Sequence, residues 1–445
     1  MHAASRSAIR APRTAPPPAH PPPPQVTRNR EDARPTAMTL RTRERQISTP
    51  AHGSSDGFPT PVGGPSHRCE PPISNECVFS ALADPGQAVA ALVTELARRR
   101  PGRTPAAVLF FCDGLYPLQA LADALAQRFA CPLLGCTSGG QIGSGGFRRG
   151  GLSLLACYGA GLRLSTHLIE PLGRADAAVE RIARGLAERP LAPGWRRFGL
   201  LLVDGLHQGE ERLAHALYHG LGDVPFIGGS ASDELRFEHT PVYFDGRFRS
   251  NAAVFGVFET SQVFEAFRVQ HFVPRRERLV ITEADPERRL VIQINGLPAA
   301  EVYARTLGVT EAALSPELLE AHPLLLRVGD ELVVRAISRV TRARALLCMS
   351  AVETGVLVDV GDAGAALEAL RRGFEAVEAR IGEPALVLGC ECTLRRRQAE
   401  RDNQLGAIGD FLAERRVFGF STHGEQFNGL HINQSFTAIA VAAHP

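Results

Sequence analysis

The sequence contains no lysine, and each of its 49 basic residues other than histidine is an arginine. Without lysine the chain has no amine for a Schiff base and no P-loop lysine to bind nucleotide phosphates. Its 47 acidic residues leave a formal net charge of +2. A charge this small creates no general attraction to nucleic acid, so we do not expect nucleic acid as a partner.

Long apolar runs are also absent. No run approaches the roughly 18 residues of a transmembrane helix, and the N-terminus lacks the apolar region of a secretory signal. The nine cysteines are scattered and odd in number, which predicts buried thiols in a reducing compartment and not a disulfide framework. We therefore expect a cytoplasmic protein without membrane insertion.

Residues 1–75 differ from the rest in composition. Proline, arginine, serine and glycine dominate, and apolar periodicity is missing, which predicts a disordered tail. Two other interpretations stay open. The segment is rich in arginine and free of acidic residues until Glu31, as transit peptides are, and translation can begin at Met38 in place of Met1.

An internal repeat is the most informative feature of the remaining sequence. Each copy has an apolar strand, an amphipathic helix, a polar turn with glycine, and a second apolar strand. The turn glycines are Gly135, Gly228 and Gly419, spaced by 93 and 191 residues. Because the second interval is about twice the first, we expect one diverged copy around residues 275–370.

Short apolar runs between turns read as buried strands, and their alternation with helices predicts a mixed α/β fold. We expect repeated strand–helix–strand–strand units that form two related domains, at residues 76–275 and 276–445. Asp113-Gly114 and Asp204-Gly205 are predicted helix starts. Residues 279–357 are predicted to be rich in strands, with a type I′ turn at Asn295-Gly296 and a short helix from Ala299 to Leu307.

The polar turns can bind an anion through their backbone N–H groups, although tight turns need the same residue types for structure alone. The last turn contributes Gly424, Glu425 and Gln426 as candidate ligand-binding residues. The run Gly139–Gly146 resembles a dinucleotide loop only superficially, because it lies between strands and not at a strand-to-helix turn.

Cys390 and Cys392 lie two residues apart on a predicted strand, so both thiols face the same side. They are candidate ligand-binding residues, with core packing as the alternative. Catalysis by a cysteine nucleophile is a weaker hypothesis, because no base is placed beside them. The sequence has no GxSxG or HExxH motif, so we predict no catalytic residues and no enzyme activity.

Three histidines are candidate cofactor ligands. His271 lies with Phe272 in an apolar segment at the junction of the predicted domains. A neutral imidazole can ligate haem iron, and a buried histidine can equally be an ordinary core residue. His431 and His423 flank the last polar turn. His271 is therefore the first candidate for an iron ligand, and His431 is the second.

The segment 417–441, VFGFSTHGEQFNGLHINQSFTAIAV, resembles the C-terminal signature of FIST domains, which are sensory modules of bacterial signal-transduction proteins. The first two repeats resemble the N-terminal FIST pattern. A narrower resemblance is to stand-alone FIST proteins of the NosP type, through segments that include QHFVP at 270–274 and GCECTLRR at 389–396. The chain departs from that pattern at Glu391 and His423, where aspartate and tyrosine are usual.

The narrower resemblance implies a b-type haem, nitric oxide as the gas ligand, and a sensor histidine kinase as the partner. Under this hypothesis His271 ligates the iron and Phe272 helps to exclude water. The alternative is a FIST sensor of a small metabolite such as an amino acid, without haem. In that case the polar turns and Arg395 or Arg396 would hold a carboxylate.

Overall fold

The computed structural model describes residues 73–329 and 331–443, except for the side chain of Arg276. The predicted tail falls almost wholly outside these residues, and the first strand already begins at Ser74. The described residues form several sheets flanked by helices. The predicted mixed α/β fold class is therefore confirmed.

Repeat one spans residues 74–158. Its elements are β1 (Ser74–Ser80), α1 (Pro85–Arg99), β2 (Ala107–Cys112), α2 (Leu118–Arg128), β3 (Leu133–Thr137), β4 (Gln141–Gly143), β5 (Gly146–Arg148) and β6 (Leu152–Tyr158). Helix α1 starts where its sequence predicts, because the Asp84 side chain caps it by accepting from Gln87 N at 2.7 Å. The amphipathic pattern buries the apolar face of this helix against the sheet.

Repeat two spans residues 162–260 and has the same order of elements. They are β7 (Leu162–Ile169), a 3₁₀ helix (Leu172–Arg174), α3 (Ala175–Ala187), β8 (Arg196–Val203), α4 (Glu210–Leu221), β9 (Phe226–Ser230), β10 (Val242–Phe244), β11 (Arg247–Arg249) and β12 (Ala253–Thr260). Between β9 and β10 it carries a longer loop, residues 231–241, than the corresponding turn of repeat one.

Repeat three begins with β13 (Phe264–Val269) and is then interrupted by an insert at residues 272–363. The insert contains β14 (Phe272–Asp285), β15 (Leu290–Ile294), β16 (Leu297–Pro298), α5 (Ala299–Leu307), a 3₁₀ helix (Glu311–Ala313), α6 (Pro316–Ala321), β17 (Leu324–Val328), β18 (Glu331–Arg335), β19 (Ile337–Val340), β20 (Leu346–Cys348) and β21 (Leu357–Ala363). Its strands form one eight-stranded sheet. Asn295 and Gly296 both have positive φ, as the predicted type I′ turn requires.

Repeat three resumes after the insert. Its elements are α7 (Ala366–Ile381), β22 (Pro384–Cys392), α8 (Thr393–Arg401), α9 (Leu405–Glu414), β23 (Val417–Thr422), β24 (Glu425–Phe427), β25 (Leu430–Ile432) and β26 (Phe436–Ala442). Two helices, α8 and α9, together occupy residues 393–414 in place of one continuous helix. The break falls at Asn403, which has a φ of +55° that a helix does not tolerate.

The three repeats exchange hairpins in a ring. The strand orders are β1-β6-β2-β3-β10-β11, β25-β24-β9-β8-β12-β7 and β13-β26-β22-β23-β4-β5. Each sheet is thus completed by the hairpin of another repeat. One hydrophobic core joins all three sheets, and Phe111 of repeat one stacks on Phe420 of repeat three at 4.2 Å. The ring predicts that no single repeat folds alone.

The same steric constraint requires glycine in the turn of all three repeats. In each repeat the glycine faces the neighbouring parallel strand, so an added Cβ would approach a carbonyl oxygen of that strand. The distances would be 2.5 Å at Gly135, 2.5 Å at Gly228 and 2.1 Å at Gly419. Only glycine permits this close approach.

Two sequence interpretations are wrong. No fourth repeat lies at residues 275–370, because that interval is largely filled by the insert, whose sheet has a different topology. Asp113 and Asp204 do not cap helices, since α2 begins only at Leu118 and α4 at Glu210. Each carboxylate instead accepts from the N–H two residues later and so closes the turn after its strand.

The predicted domain boundary at residues 275/276 lies near the start of the insert and stays a prediction. Within residues 73–329 and 331–443, no helix has the length and apolarity needed to cross a membrane.

Candidate functional site

The polar turns of the three repeats meet at one hub. In every repeat the residue two positions after the turn glycine donates its N–H to the next hairpin in the ring. These bonds run from Thr137 N to Pro241 O, from Ser230 N to Gly424 O and from Ser421 N to Gly140 O, at 3.2, 2.9 and 2.7 Å. The recurrence of the turn in the sequence therefore has a structural cause.

A cavity of about 170 Å³ opens beside this hub. It lies at the carboxyl ends of β8, β22 and β23, where α/β sheets commonly bind ligands. The long loop of repeat two contributes Leu235 and Phe237, and the insert contributes Arg289 and Met349. The lining residues come from repeat two, repeat three and the insert, and repeat one supplies none of them.

His423 forms part of the cavity wall, and its side chain is only 6% exposed. Its ring lies 4.9 Å from the ring of Phe237, which is itself half exposed, and its Nε2 lies 3.5 Å from Asp233 Oδ1. Burial lowers the pKa of His423 to about 4, although Asp233 and Asp204 oppose this shift. His423 is therefore a neutral imidazole at pH 7, and neither ring nitrogen has a hydrogen-bond partner among the described residues.

His431 is the second imidazole of the cavity. Gln426 Nε2 lies 3.1 Å from His431 Nδ1 and 3.2 Å from Ser230 Oγ. The amide thus donates to Nδ1, which leaves the proton of the neutral ring on Nε2. Burial lowers the pKa of His431. A Cβ at Gly424 would lie 2.5 Å from the ring, so glycine is needed there to admit the imidazole.

Four charged residues line or adjoin the opposite wall: Glu210, Glu211, Arg289 and Arg335. Arg289 Nη2 bonds Glu210 Oε2 at 2.7 Å and Glu211 Oε2 at 2.9 Å. Burial opposes ionisation of Glu211, whereas the charge of Arg289 and the N–H of Ala351 favour it and act to lower its pKa. Arg335 adds a second guanidinium to this cluster, since its Nη1 donates to the His431 carbonyl at 3.0 Å and its charge interacts with Glu211. Two carboxylates therefore face two guanidinium groups, and the part of this cluster that lines the cavity is the ion pair of Glu210 with Arg289.

The amino end of α8 faces the same cavity. Thr393 and Leu394 line it, and the buried Thr393 Oγ1 has no hydrogen-bond partner within the described residues. Helix α8 has nine residues, so its first turn carries N–H groups that no helical carbonyl accepts and a partial positive charge. The cavity therefore has the carboxylate of Glu210, paired with Arg289, on one wall and a partial positive charge at the end formed by α8.

Glu425, a candidate from the sequence, lies behind the cavity and is fully buried. Its carboxyl accepts from Thr422 Oγ1, and from Ser435 Oγ at 2.8 Å. Burial raises the pKa of Glu425 to about 8, against those hydrogen bonds and with a contribution from Glu391. The group is mostly protonated at pH 7. It orders the hub and does not reach the cavity.

His271 lies elsewhere and does not line this cavity. It is 5% exposed, its ring lies 4.4 Å from that of Phe272, and Nε2 is 3.2 Å from Gln398 Oε1. Burial lowers the pKa of His271 to about 3. The unpartnered Nδ1 is a donor suited to haem iron, but a porphyrin at this ring would have to displace packed neighbours.

The cysteine and arginine candidates are buried in repeat three. Burial raises the pKa of Cys390 and of Cys392 well above the usual value, so neither thiol is a nucleophile at neutral pH. Arg395 bonds both carboxylate oxygens of Glu391, at 2.5 and 2.6 Å. Arg396 bonds Glu234 at 2.8 Å. Both guanidinium groups are thus occupied, which does not favour them as carboxylate holders.

Sequence reasoning brought together His423, His431 and the last polar turn, but it missed Glu210, Arg289, Thr393 and Phe237. No local motif marks these residues, since they come from four separate segments and meet only through the hairpin ring and the insert. Among the described residues, no group of three or more histidine, cysteine and acidic side chains is arranged to hold a metal ion.

Comparisons with known proteins give a family and little more. The FIST N domain matches residues 106–297, and the FIST C domain matches residues 299–428. No curated protein matches the chain. A crystal structure of cyanuric acid hydrolase from A. caulinodans is similar over 83% of this chain and 99% of its own, at 11% identity and a TM-score of 0.32.

A second structure, titled "Cyanuric acid hydrolase: evolutionary innovation by structural concatenation", covers 83% of this chain and 100% of its own, at 11% identity and a TM-score of 0.29. TM-scores this low carry no inference about activity.

Proposed function

The chain belongs to the family of FIST-domain proteins, and from this premise we propose that its cavity senses a small zwitterionic metabolite such as an amino acid. FIST domains are sensory, non-catalytic domains of signal-transduction proteins. The observation that carries the proposal is the polarity of the cavity. The carboxylate of Glu210 suits an ammonium group, and the amino end of α8 suits a carboxylate.

The size of the cavity supports a ligand of this class. Pockets for drug-sized molecules measure roughly 300–1,000 Å³, whereas this one measures about 170 Å³. The half-exposed ring of Phe237 lies at its border and can cover a bound molecule. The neutral imidazoles of His423 and His431 offer hydrogen bonds without adding charge.

Thermal denaturation of the full chain with each common amino acid at millimolar concentration tests the proposal. We expect one amino acid, or a few of similar shape, to raise the melting temperature in a concentration-dependent way. A panel in which no amino acid stabilises the chain would contradict the proposal.

A pair of variants locates the binding. Thr393→Val removes the unpartnered hydroxyl at the amino end of α8, whereas Thr306→Val removes an equally unpartnered hydroxyl on α5. A hydrogen bond to a charged group contributes about 1.5–3 kcal/mol. We therefore expect Thr393→Val to weaken binding roughly ten- to hundredfold and Thr306→Val to leave it unchanged. Equal effects would place the ligand elsewhere.

A haem-based nitric oxide sensor of the NosP type is the second candidate, because His271 has a neutral ring with an unpartnered nitrogen. Bound haem would supply the iron that binds the gas. Reconstitution with haem should then give a Soret band that shifts in His271→Ala and not in His431→Ala or His423→Ala. A chain without any Soret band after reconstitution would exclude this candidate.

Under either candidate we propose a cytoplasmic protein that regulates a sensor histidine kinase. Ligand binding would shift the chain between two arrangements with different affinity for the kinase. Autophosphorylation of a candidate kinase, measured with the chain present, should change when the ligand is added. A rate that ignores the ligand would refute the partnership with that kinase.

A further inference from the structure

A second, larger cleft lies in repeat two, between α3 and the edge strand β7. It measures about 590 Å³, which falls within the size range of pockets for drug-sized molecules. Apolar side chains form much of its wall, namely Leu164, Ile182, Leu186 and Val257. None of the residues lining this cleft lines the cavity beside the hub.

Three arginines surround the apolar wall. Arg163, Arg181 and Arg189 line the cleft, and within the described residues no carboxylate oxygen lies within 4.0 Å of their guanidinium nitrogens. Arg163 stacks over Trp195 at 4.5 Å. The one acidic residue of the lining, Glu259, is bound to Arg197 at 2.8 Å. The cleft is therefore positively charged as well as apolar.

In repeats one and three, an ion pair joins the edge strand to the end of the helix that packs on it. In repeat one, Glu76 on the edge strand β1 bonds Arg100 at 2.8 Å, just past the end of α1. In repeat three, Glu265 on β13 bonds Arg380 near the end of α7, at 2.9 Å. Each of these edge strands supplies a carboxylate to an arginine at the end of the packed helix.

Repeat two lacks this carboxylate. Glu76 pairs with Ala156 on the neighbouring strand, and in the equivalent register Ser165 pairs with Val257. Ser165 therefore occupies the place of Glu76, while the arginines remain. Its hydroxyl lies 3.2 Å from His167 Nε2. Burial lowers the pKa of His167, and the charges of Arg189 and Arg181 add to this effect.

We infer that this cleft is a binding site for an organic carboxylate with an apolar body. The carboxylate takes the position that Glu76 holds in repeat one and bonds Arg181 and Arg189. The apolar body lies on the wall formed by Ile182 and Leu186. Because this site is built from repeat two alone, it does not depend on the sensor cavity beside the hub.

Isothermal titration of the full chain with octanoate, and with octanamide as its neutral analogue, tests the inference. We expect one octanoate per chain and binding of octanamide at least tenfold weaker, since a charge-assisted bond contributes about 1.5–3 kcal/mol. Equal binding of the two compounds would overturn the inference, because an apolar cleft alone does not distinguish them.

Two variants should reduce octanoate binding for different reasons, because one fills the anion position and the other removes a positive charge. Ser165→Glu rebuilds the internal carboxylate, so it should abolish octanoate binding while keeping or raising the melting temperature. Arg181→Gln, at an exposed position, should weaken octanoate binding at least tenfold. Arg372→Gln, at another exposed arginine on α7, is the control and should bind as the original chain does. Octanoate binding that survives Arg181→Gln unchanged would overturn the inference even if Ser165→Glu fails to fold.

Discussion

The buried carboxyl of Glu425 makes a sharp prediction about pH. In the sheet of repeat two, Glu425 of the incoming hairpin pairs with Gly229. In the sheet of repeat three, Gln141 of the incoming hairpin pairs with Phe420. Gly229 and Phe420 both directly follow a turn glycine, so the two positions are equivalent. Repeat one thus has a glutamine where repeat three has a glutamate. Glu425→Gln replaces a group that must ionise at high pH with a neutral group of the same shape.

The magnitude follows from the shift in pKa. Burial raises the pKa of Glu425 from 4.5 to about 8, so the folded chain holds this proton more tightly than the unfolded chain does. The associated stability is fully present below pH 4.5 and is lost as the pH rises to about 8. One pKa unit corresponds to about 1.4 kcal/mol. Between pH 5.5 and 8 the loss therefore amounts to about 3 kcal/mol.

Denaturant unfolding of both chains from pH 5.5 to 8.5 measures this effect. Between pH 5.5 and pH 8, Glu425→Gln should gain about 3 kcal/mol of stability relative to the original chain. Glu375→Gln, at an exposed position on α7, serves as the matched control. A difference between Glu425→Gln and the original chain that does not change with pH would refute the reasoning.

Three further substitutions test the hub and the cavity. Gly419→Ala places a Cβ 2.1 Å from a backbone oxygen and should destabilise the chain by more than about 4 kcal/mol, whereas Gly406→Ala, with open space around it, should be tolerated in thermal melts. Arg395→Leu leaves the carboxylate of Glu391 buried and unpaired, and should cost about 3–5 kcal/mol in denaturant unfolding. Phe237→Ala should weaken binding of the stabilising amino acid in calorimetry without lowering the melting temperature; unchanged affinity would show that this ring does not cover the ligand.

Much of the fold follows from local sequence patterns. Apolar runs between glycine turns mark the strands of all three repeats, and Asp84 marks the start of α1. The interval between Gly228 and Gly419 suggested a fourth repeat, but the spacing of two turns gives only the length of the segment between them. It does not give the topology of that segment, which is the insert. The hairpin exchange is invisible to such patterns, since it depends on which strands pair across more than a hundred residues.

Only part of the candidate site could be predicted from the sequence, because the rest depends on contacts between distant segments. His423 and His431 lie beside the recognisable turn, so a local motif points to them. Arg289 and Thr393 reach the cavity only because the insert and α8 pack against the hub. Arg395 and Arg396 were predicted as carboxylate-binding residues because of their charge. In the fold they already bond Glu391 and Glu234.

Hydrogen–deuterium exchange with and without the stabilising amino acid tests the central claim most directly, because it reports where the ligand acts. We predict slower exchange in the loop at residues 231–241, in the turn that carries Arg289 and in the first turn of α8, with β7 and α3 unaffected. Protection that avoids these three segments, or that is absent at saturating ligand, would contradict the proposal that the cavity beside the hub is the sensor site.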